Sequence, residues 1–368
     1  MEKPKIIKST VICDIAPSEK NPRNSEGDFA VLKDGSILFA YSRYHGGSAE
    51  DEAPCDIAGM ISRDGGNSFE HLSEMLVTAE QHNTENIMSV SFCRLDDGTL
   101  CLFYLAKFGA SSAYYMRRAV GDETKFGEAE TCIELSKDIY YVINNCRICR
   151  LPDGRLLVPA ARHRITKNNG GRGGEYFGTC QIYGCDKDGR NWHTVSDVIE
   201  MPNPGHSETG LQEPAVSILP DGRFYGYFRT DRCFQFESFS EDKGRTWTTP
   251  VPSPFTSPES PMLISRNPYT GIYYAVWNPV PNYNGRYKEE VWCHAGRFPF
   301  VMAQSKNGID FSEFVCIEDT PEHGYCYPAI YFLSENEMLM SYCCGGKDDG
   351  KCLSRTRIRK ITLGDKEE

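Results

Sequence analysis

The sequence has little of what marks several broad protein classes. Its 40 Lys plus Arg stand against 51 Asp plus Glu, a formal net charge of -11. It therefore lacks the cationic excess by which nucleic acids and anionic membranes are chiefly bound. No apolar run of membrane-spanning length occurs. The stretch from Met1 to Val11 carries Lys3, Lys5 and Lys8 and no apolar segment of signal-peptide length. Amphipathic helical periodicity beyond a turn or two is absent as well. His is scarce, at eight residues, and none of the 16 Cys stands at a ligand-like spacing from one, so neither a metal site nor a cofactor motif is readable. These absences point to a soluble chain that binds neither nucleic acid nor membrane. Sixteen scattered Cys without an export signal point to reduced thiols and a cytoplasmic setting. Cys146 and Cys149 form a C-x-x-C, but Tyr141 to Leu151 reads as strand, where positions three apart face opposite ways. A pair of packed thiols is the expectation there.

What is present is a core's worth of material, 40% hydrophobic and 12% aromatic residues, and an internal repeat. Leu32-Lys-Asp34-Gly35-Ser-Ile-Leu-Phe, Leu95-Asp-Asp97-Gly98-Thr-Leu-Cys-Leu, Leu151-Pro-Asp153-Gly154-Arg-Leu-Leu-Val and Leu219-Pro-Asp221-Gly222-Arg-Phe-Tyr-Gly share one pattern. Each sets an Asp-Gly turn between apolar runs, the strongest short-range hairpin signal. Looser copies follow at Tyr269-Thr270-Gly271 and Ser334-Glu335-Asn336. The six turns recur about every 60 residues, a period that fits the four-stranded blades of a β-propeller. The expected fold is all-β, one six-bladed propeller of four-stranded antiparallel blades over residues 1–368. Lys5 to Ile15 and Leu353 to Leu363 both read as strands, and the amino-terminal one is expected to complete the last blade, which removes exposed edges.

A second motif occurs twice, Ser62-x-Asp64-x-Gly66-x-Ser68-Phe69 and Ser240-x-Asp242-x-Gly244-x-Thr246-Trp247, with decayed copies at Cys185 to Trp192 and Ser305 to Phe311. It suits a tight turn between third and fourth strands. The Asp accepts backbone N–H groups, Gly supplies positive φ, and the aromatic wedges against the next blade. This pattern resembles the Asp-box of the sialidase (neuraminidase) superfamily, also called BNR repeats, whose members are six-bladed propellers. The resemblance covers nearly the whole chain.

The resemblance implies a pocket over the central channel, with three arginines for a sugar carboxylate, a Tyr nucleophile with a Glu partner, and an Asp acid/base. A neutral Tyr hydroxyl suits this chemistry because a carboxylate nucleophile would be repelled by the substrate's own carboxylate. Arg23 in Asn21-Pro22-Arg23-Asn24 resembles the first arginine, with Arg43 on the next strand as the residue that orders the acid. Arg229, closing Phe224-Tyr-Gly-Tyr-Phe-Arg229, resembles the second, and Arg297 the third. Glu213 precedes Arg229 by sixteen residues, close to the family interval. Tyr327, at the entrance of blade six, resembles the nucleophile, with Tyr325 as the competing assignment. For the acid, Asp51 in the Gly-rich loop Tyr44 to Ile57 fits best, and Glu50, Glu52 and Asp56 are alternatives. Asn144 and Asn145 before blade three, Arg162 and His163 after its hairpin, and Asn278 after the blade-five hairpin are further candidates to shape the pocket. In typical members an isoleucine and a proline follow the first arginine, whereas here Asn24-Ser25-Glu26 follows and the proline precedes it, so Glu26 brings a negative charge near the expected clamp.

The implied activity is that of a retaining exo-glycosidase releasing terminal sialic acid, with a glycan as partner and no cofactor or metal. A propeller enzyme acting on a different acidic sugar and a non-catalytic glycan-binding propeller are the alternatives.

Overall fold

Each of the six hairpin turns joins the first two strands of a four-stranded antiparallel unit. The computed structural model describes residues 2–166, 175–281 and 296–364. Blade one comprises Arg23–Val31, Ile37–Tyr44, Cys55–Ser62 and Glu70–His71, and blade two Asn86–Arg94, Leu100–Phe108, Ser111–Val120 and Lys125–Ile133. A parallel bridge, Cys55 to Asn86, hydrogen-bonds the two into one continuous sheet. Blade three contains Ile139–Val142, Leu156–Arg164, Gly178–Cys185 and His193–Thr194, with Cys149–Arg150 also on Leu156–Arg164. Blade four runs from Gln212–Ile218 through Phe224–Arg229 and Phe234–Ser240 to Val251–Thr256, and blade five from Leu263–Arg266 through Tyr273–Trp277 and Phe300–Ser305 to Val315–Glu318. Blade six is built from Cys326–Phe332, Glu337–Cys343 and Thr356–Leu363, and its outermost strand is Ile6–Ile15 from the other end of the chain. The architecture is thus an all-β six-bladed propeller. Among the described residues, no helix is long and apolar enough to cross a membrane.

The hydrophobic core lies between blade faces. Phe29, Phe39, Leu339 and Ile358 fill the space between blades six and one. Leu38, Ile57, Leu102 and Tyr104 do so between one and two, and Leu157, Ile182, Phe224 and Phe236 between three and four. Such blade-to-blade burial, at roughly 25 cal/mol per Å² of apolar surface, holds the ring. The expected Asp-box geometry is present: Asp242 Oδ1 accepts from the backbone N–H of Arg245 and Thr246, and Gly244, at φ 88°, donates to Ser240 Oγ. The aromatic, however, faces the preceding blade. Phe69 joins the cluster between six and one, and Trp247 the cluster between three and four, because the turn folds back over its own sheet onto that face. The strand expected from Tyr141 to Leu151 is also interrupted. Residues 143–148 leave the ladder, and Cys146 sits at φ 55°.

One backbone device recurs where the site forms. The innermost strands of blades one, two, four and six each carry a register shift, between Ser25 and Asp28, Met88 and Ser91, Gln212 and Ala215, and Cys326 and Ala329. Inside each bulge lies a non-glycine residue at positive φ: Glu26, Ser89, Glu213 and Tyr327. A bulge re-aims a side chain that regular alternation would bury in the sheet face, and left-handed backbone costs about 1 kcal/mol or more at such residues.

Candidate active site

All four bulge residues line one cavity of ≈ 350 Å³ over the channel, a size suited to one sugar ring. Tyr327 Oη donates to Glu213 Oε1 at 2.7 Å, although the two residues are 114 apart in sequence. Arg229 closes the second strand of blade four, and its Nη1 lies 2.8 Å from the same Glu213 oxygen. Its Nη2 donates to Glu259 at 3.0 Å. Arg297 donates from Nη2 to the Glu259 backbone carbonyl at 3.3 Å and from Nη1 to Cys326 Sγ at 3.1 Å. Its guanidinium lies 5.7 Å from the centre of the Tyr327 ring. Glu213 Oε2, Arg229 Nε and Arg297 Nε are buried with no hydrogen-bond partner among the described residues.

The electrostatics follow from this packing. Burial opposes ionisation of Glu213, but Arg229 and then Arg297, with hydrogen bonds from Arg229 and Tyr327, outweigh it and hold the carboxyl below its ordinary range. Burial first, and then the Glu213 charge, push the Tyr327 phenol well above its usual value. The pair is thus a neutral phenol hydrogen-bonded to a carboxylate, the form in which Tyr can lose its proton to a neighbour during attack.

Across the cavity Asp51, whose side chain is 62% exposed, meets Arg23 Nη1 at 2.5 Å, and its backbone carbonyl accepts from Lys107 Nζ at 2.6 Å. Partial desolvation works against its charge, but Arg23 and then Lys107 outweigh that and hold the carboxyl below the ordinary carboxylate range. Glu52 also lines the cavity. Glu50 pairs with Lys351, and Asp56 accepts from the Ala79 N–H at 2.8 Å and pairs with His45, so both are engaged elsewhere.

The remaining candidates divide by strand alternation. Arg23 pairs with Tyr44 across the hairpin, and its guanidinium lies 4.3 Å from the centre of that ring. Arg43, one residue earlier, faces the other way and lines a separate cavity with Tyr41 and His71. His163 faces the candidate site, while Arg162 beside it lines another cavity with Arg164 and Glu200. His163 Nδ1 contacts the Glu175 carbonyl at 2.9 Å, and burial lowers its basicity. Asn145 lies beneath the site, its Nδ2 donating to the carbonyls of Gly27 and Tyr327. Asn144 is in the lining, and both asparagines sit inside the interrupted inner strand of blade three rather than ahead of it. Asn278 is spent on Ser260 Oγ and the Pro299 carbonyl. Tyr325 is in the core between Phe300 and Tyr342, because the bulge at Tyr327 breaks the alternation that would give the two tyrosines one face.

Sequence reasoning missed Lys107, Tyr140, Tyr176 and Gln212, all in the lining. A signal existed for Lys107, which pairs with the first residue of its inner strand, Asn86, as Arg229 pairs with Gln212. Tyr140 lies in the interrupted inner strand of blade three and Tyr176 in the loop before Gly178–Cys185, and neither carries such a mark.

Comparison with known proteins places this geometry in context. Among solved structures, a protein of unknown function from Dyadobacter fermentans superimposes with a TM-score of 0.72 at 15% identity, covering 97% of this chain and 99% of that one. The intramolecular trans-sialidase of Ruminococcus gnavus, in complex with oseltamivir carboxylate, gives 0.67 at 12% identity over 97% and 98%. A NanB sialidase of Streptococcus pneumoniae gives 0.67 at 12% over 98% and 71%. These likenesses establish the fold. No curated protein matches the chain. The model of the BNR repeat-like domain matches residues 35–338, so the chain belongs to the BNR repeat-like family.

Proposed function

We propose that this protein is a retaining exo-glycosidase that releases a terminal acidic sugar, sialic acid, from a glycan. The observation that carries the reading is the buried 2.7 Å bond from Tyr327 to Glu213, made by two bulge residues that face one sugar-sized cavity beside Arg229 and Arg297. Tyr327 Oη attacks the anomeric carbon while its proton passes to Glu213. The glycosidic bond breaks, and the leaving oxygen takes a proton from Asp51. Water then attacks the glycosyl-tyrosine, giving a proton to Asp51, and the phenolate regains its proton from Glu213. Asp51 acquires its first proton as the bound sugar and aglycone exclude solvent around it. Arg229 and Arg297 hold the sugar carboxylate, with Arg23 behind Asp51. The sialidase names of the Ruminococcus gnavus and Streptococcus pneumoniae neighbours support the substrate class.

One observation favours a second reading, an enzyme for a different acidic sugar: Glu26 and Asp51 already occupy the Arg23 guanidinium. A fluorogenic α-sialoside assayed beside fluorogenic uronides separates the two. Turnover of the sialoside alone is expected; turnover of a uronide alone would replace the first reading with the second, and turnover of neither would leave a binding protein.

A further inference from the structure

Among the described residues, the cavity lining holds more carboxylates than cations. Glu26, Asp51, Glu52, Glu175 and Glu213 face it, against Lys107, Arg229 and Arg297. The charges are also segregated. Glu26, Asp51 and Glu52 belong to blade one, and the two guanidiniums to blades four and five.

Arg23 has been withdrawn from this lining. Its Nε donates to Ser25 Oγ at 2.9 Å, Nη1 to Asp51 Oδ1 at 2.5 Å and to the Ala49 carbonyl at 3.3 Å, and Nη2 to Glu26 Oε1 at 3.0 Å. Of five guanidinium N–H groups, four are taken, and Tyr44 covers one face. The side chain is 2% exposed. Glu26, at 3%, does line the cavity, because φ 48° in its bulge turns it inward. Burial, the largest influence on it, favours its neutral form, and Arg23 and Ser25 oppose that. Arg229 also meets two carboxylates, Glu213 and Glu259, but it lines the cavity and its Nε has no hydrogen-bond partner among the described residues, whereas Arg23 lies outside the lining with four of its five N–H groups taken.

We propose that Glu26 is a specificity-determining residue, which removes Arg23 from carboxylate recognition, leaves a two-arginine clamp of Arg229 and Arg297, and offers its own carboxylate to hydroxyl or amino donors at the far end of the sugar. This rests on the acidic-sugar reading above and narrows it: the ligand class is a monocarboxylate sugar with a donor-rich face toward blade one, and a second anionic group on that face is rejected.

The test is calorimetric and independent of turnover. Affinities of the full chain for the sulfur-linked methyl α-thiosialoside, which resists hydrolysis, and for its methyl ester are measured for wild type, Glu26→Gln, Glu26→Ala, Arg23→Gln and Arg229→Gln, with melting curves to confirm folding. Either Glu26 variant is expected to raise the preference for acid over ester by about tenfold or more, as the freed guanidinium joins the clamp. Glu26→Gln keeps the side-chain shape should the alanine variant fail to fold. Arg23→Gln should change the preference by less than about threefold, and Arg229→Gln should abolish it. An unchanged preference in both Glu26 variants, or an Arg23→Gln loss equal to that of Arg229→Gln, overturns the proposal while leaving the functional reading intact. Failure of wild type to bind either ligand overturns the functional reading, and this inference with it.

Discussion

Replacing Tyr327 by Phe removes one hydroxyl and little else. The lost bond, 2.7 Å to a carboxylate, is of the kind worth about 1.5–3 kcal/mol. Glu213 keeps Arg229 at 2.8 Å on the same oxygen, so no buried charge is stranded. With unfolding entropy of roughly 2.1 cal/mol/K per residue, such a loss lowers the melting temperature of this chain by about 2 to 4 °C. The catalytic cost is far larger, because the hydroxyl oxygen forms the covalent bond to sugar. A fall in kcat of at least about a thousandfold, or ~4 kcal/mol of transition-state stabilisation, is expected with the fluorogenic sialoside. Mass spectrometry after a 2,3-difluorinated sialic acid should find the adduct on Tyr327 in wild type and nowhere in the variant. Wild-type turnover by Tyr327→Phe, or an adduct on another residue, would refute the reasoning.

Asp51→Ala should slow natural glycans by about 10² to 10⁴-fold while sparing substrates with activated aryl leaving groups, and an equal loss on both would argue against an acid role. Glu213 is held below its ordinary value of 4.5 in the folded chain. Its contribution to stability is therefore present above that pH and lost as pH falls through the folded value. Glu213→Gln should thus cost about 3 kcal/mol at pH 7 yet make the urea midpoint fall less steeply below pH 4.5; an unchanged slope counts against the linkage. Deleting Met1 to Ile15 removes the outer strand of blade six and exposes the edge of Thr356–Leu363. A drop in melting temperature of about 5 to 10 °C is expected, and an unchanged melt would mean that this strand does not hold the ring.

Several parts of the molecule were legible because the physics that sets them is local. An Asp-Gly pair between apolar runs closes a hairpin wherever it occurs, and Gly35, Gly98, Gly154 and Gly222 all adopt the positive φ that the turn needs. Asp64 and Asp242 each bond groups within four residues, so their role could be read from the motif alone. Tyr327, Glu213 and Arg229 were reachable through the resemblance to the sialidase superfamily, together with their places at strand ends. Arg43, Arg162 and Asn278 occupy equally suggestive places, but the first two point to the opposite sheet face and the third spends its amide on the core.

By itself, then, the sequence determined the repeat, the blade count, the Asp-box turns and the residues at the channel end of each blade, since all depend on contacts between near neighbours in the chain. Only the tertiary structure decided which of those residues share a cavity. Four bulges turn Glu26, Ser89, Glu213 and Tyr327 inward at positive φ, and such bulges leave no mark in composition. The partners that set the charges are likewise distant in sequence, Glu213 beside Tyr327 and Lys107 beside Asp51. Their proximity follows from bringing six inner strands around one axis, where charges a few ångströms apart and partly shielded from water interact strongly.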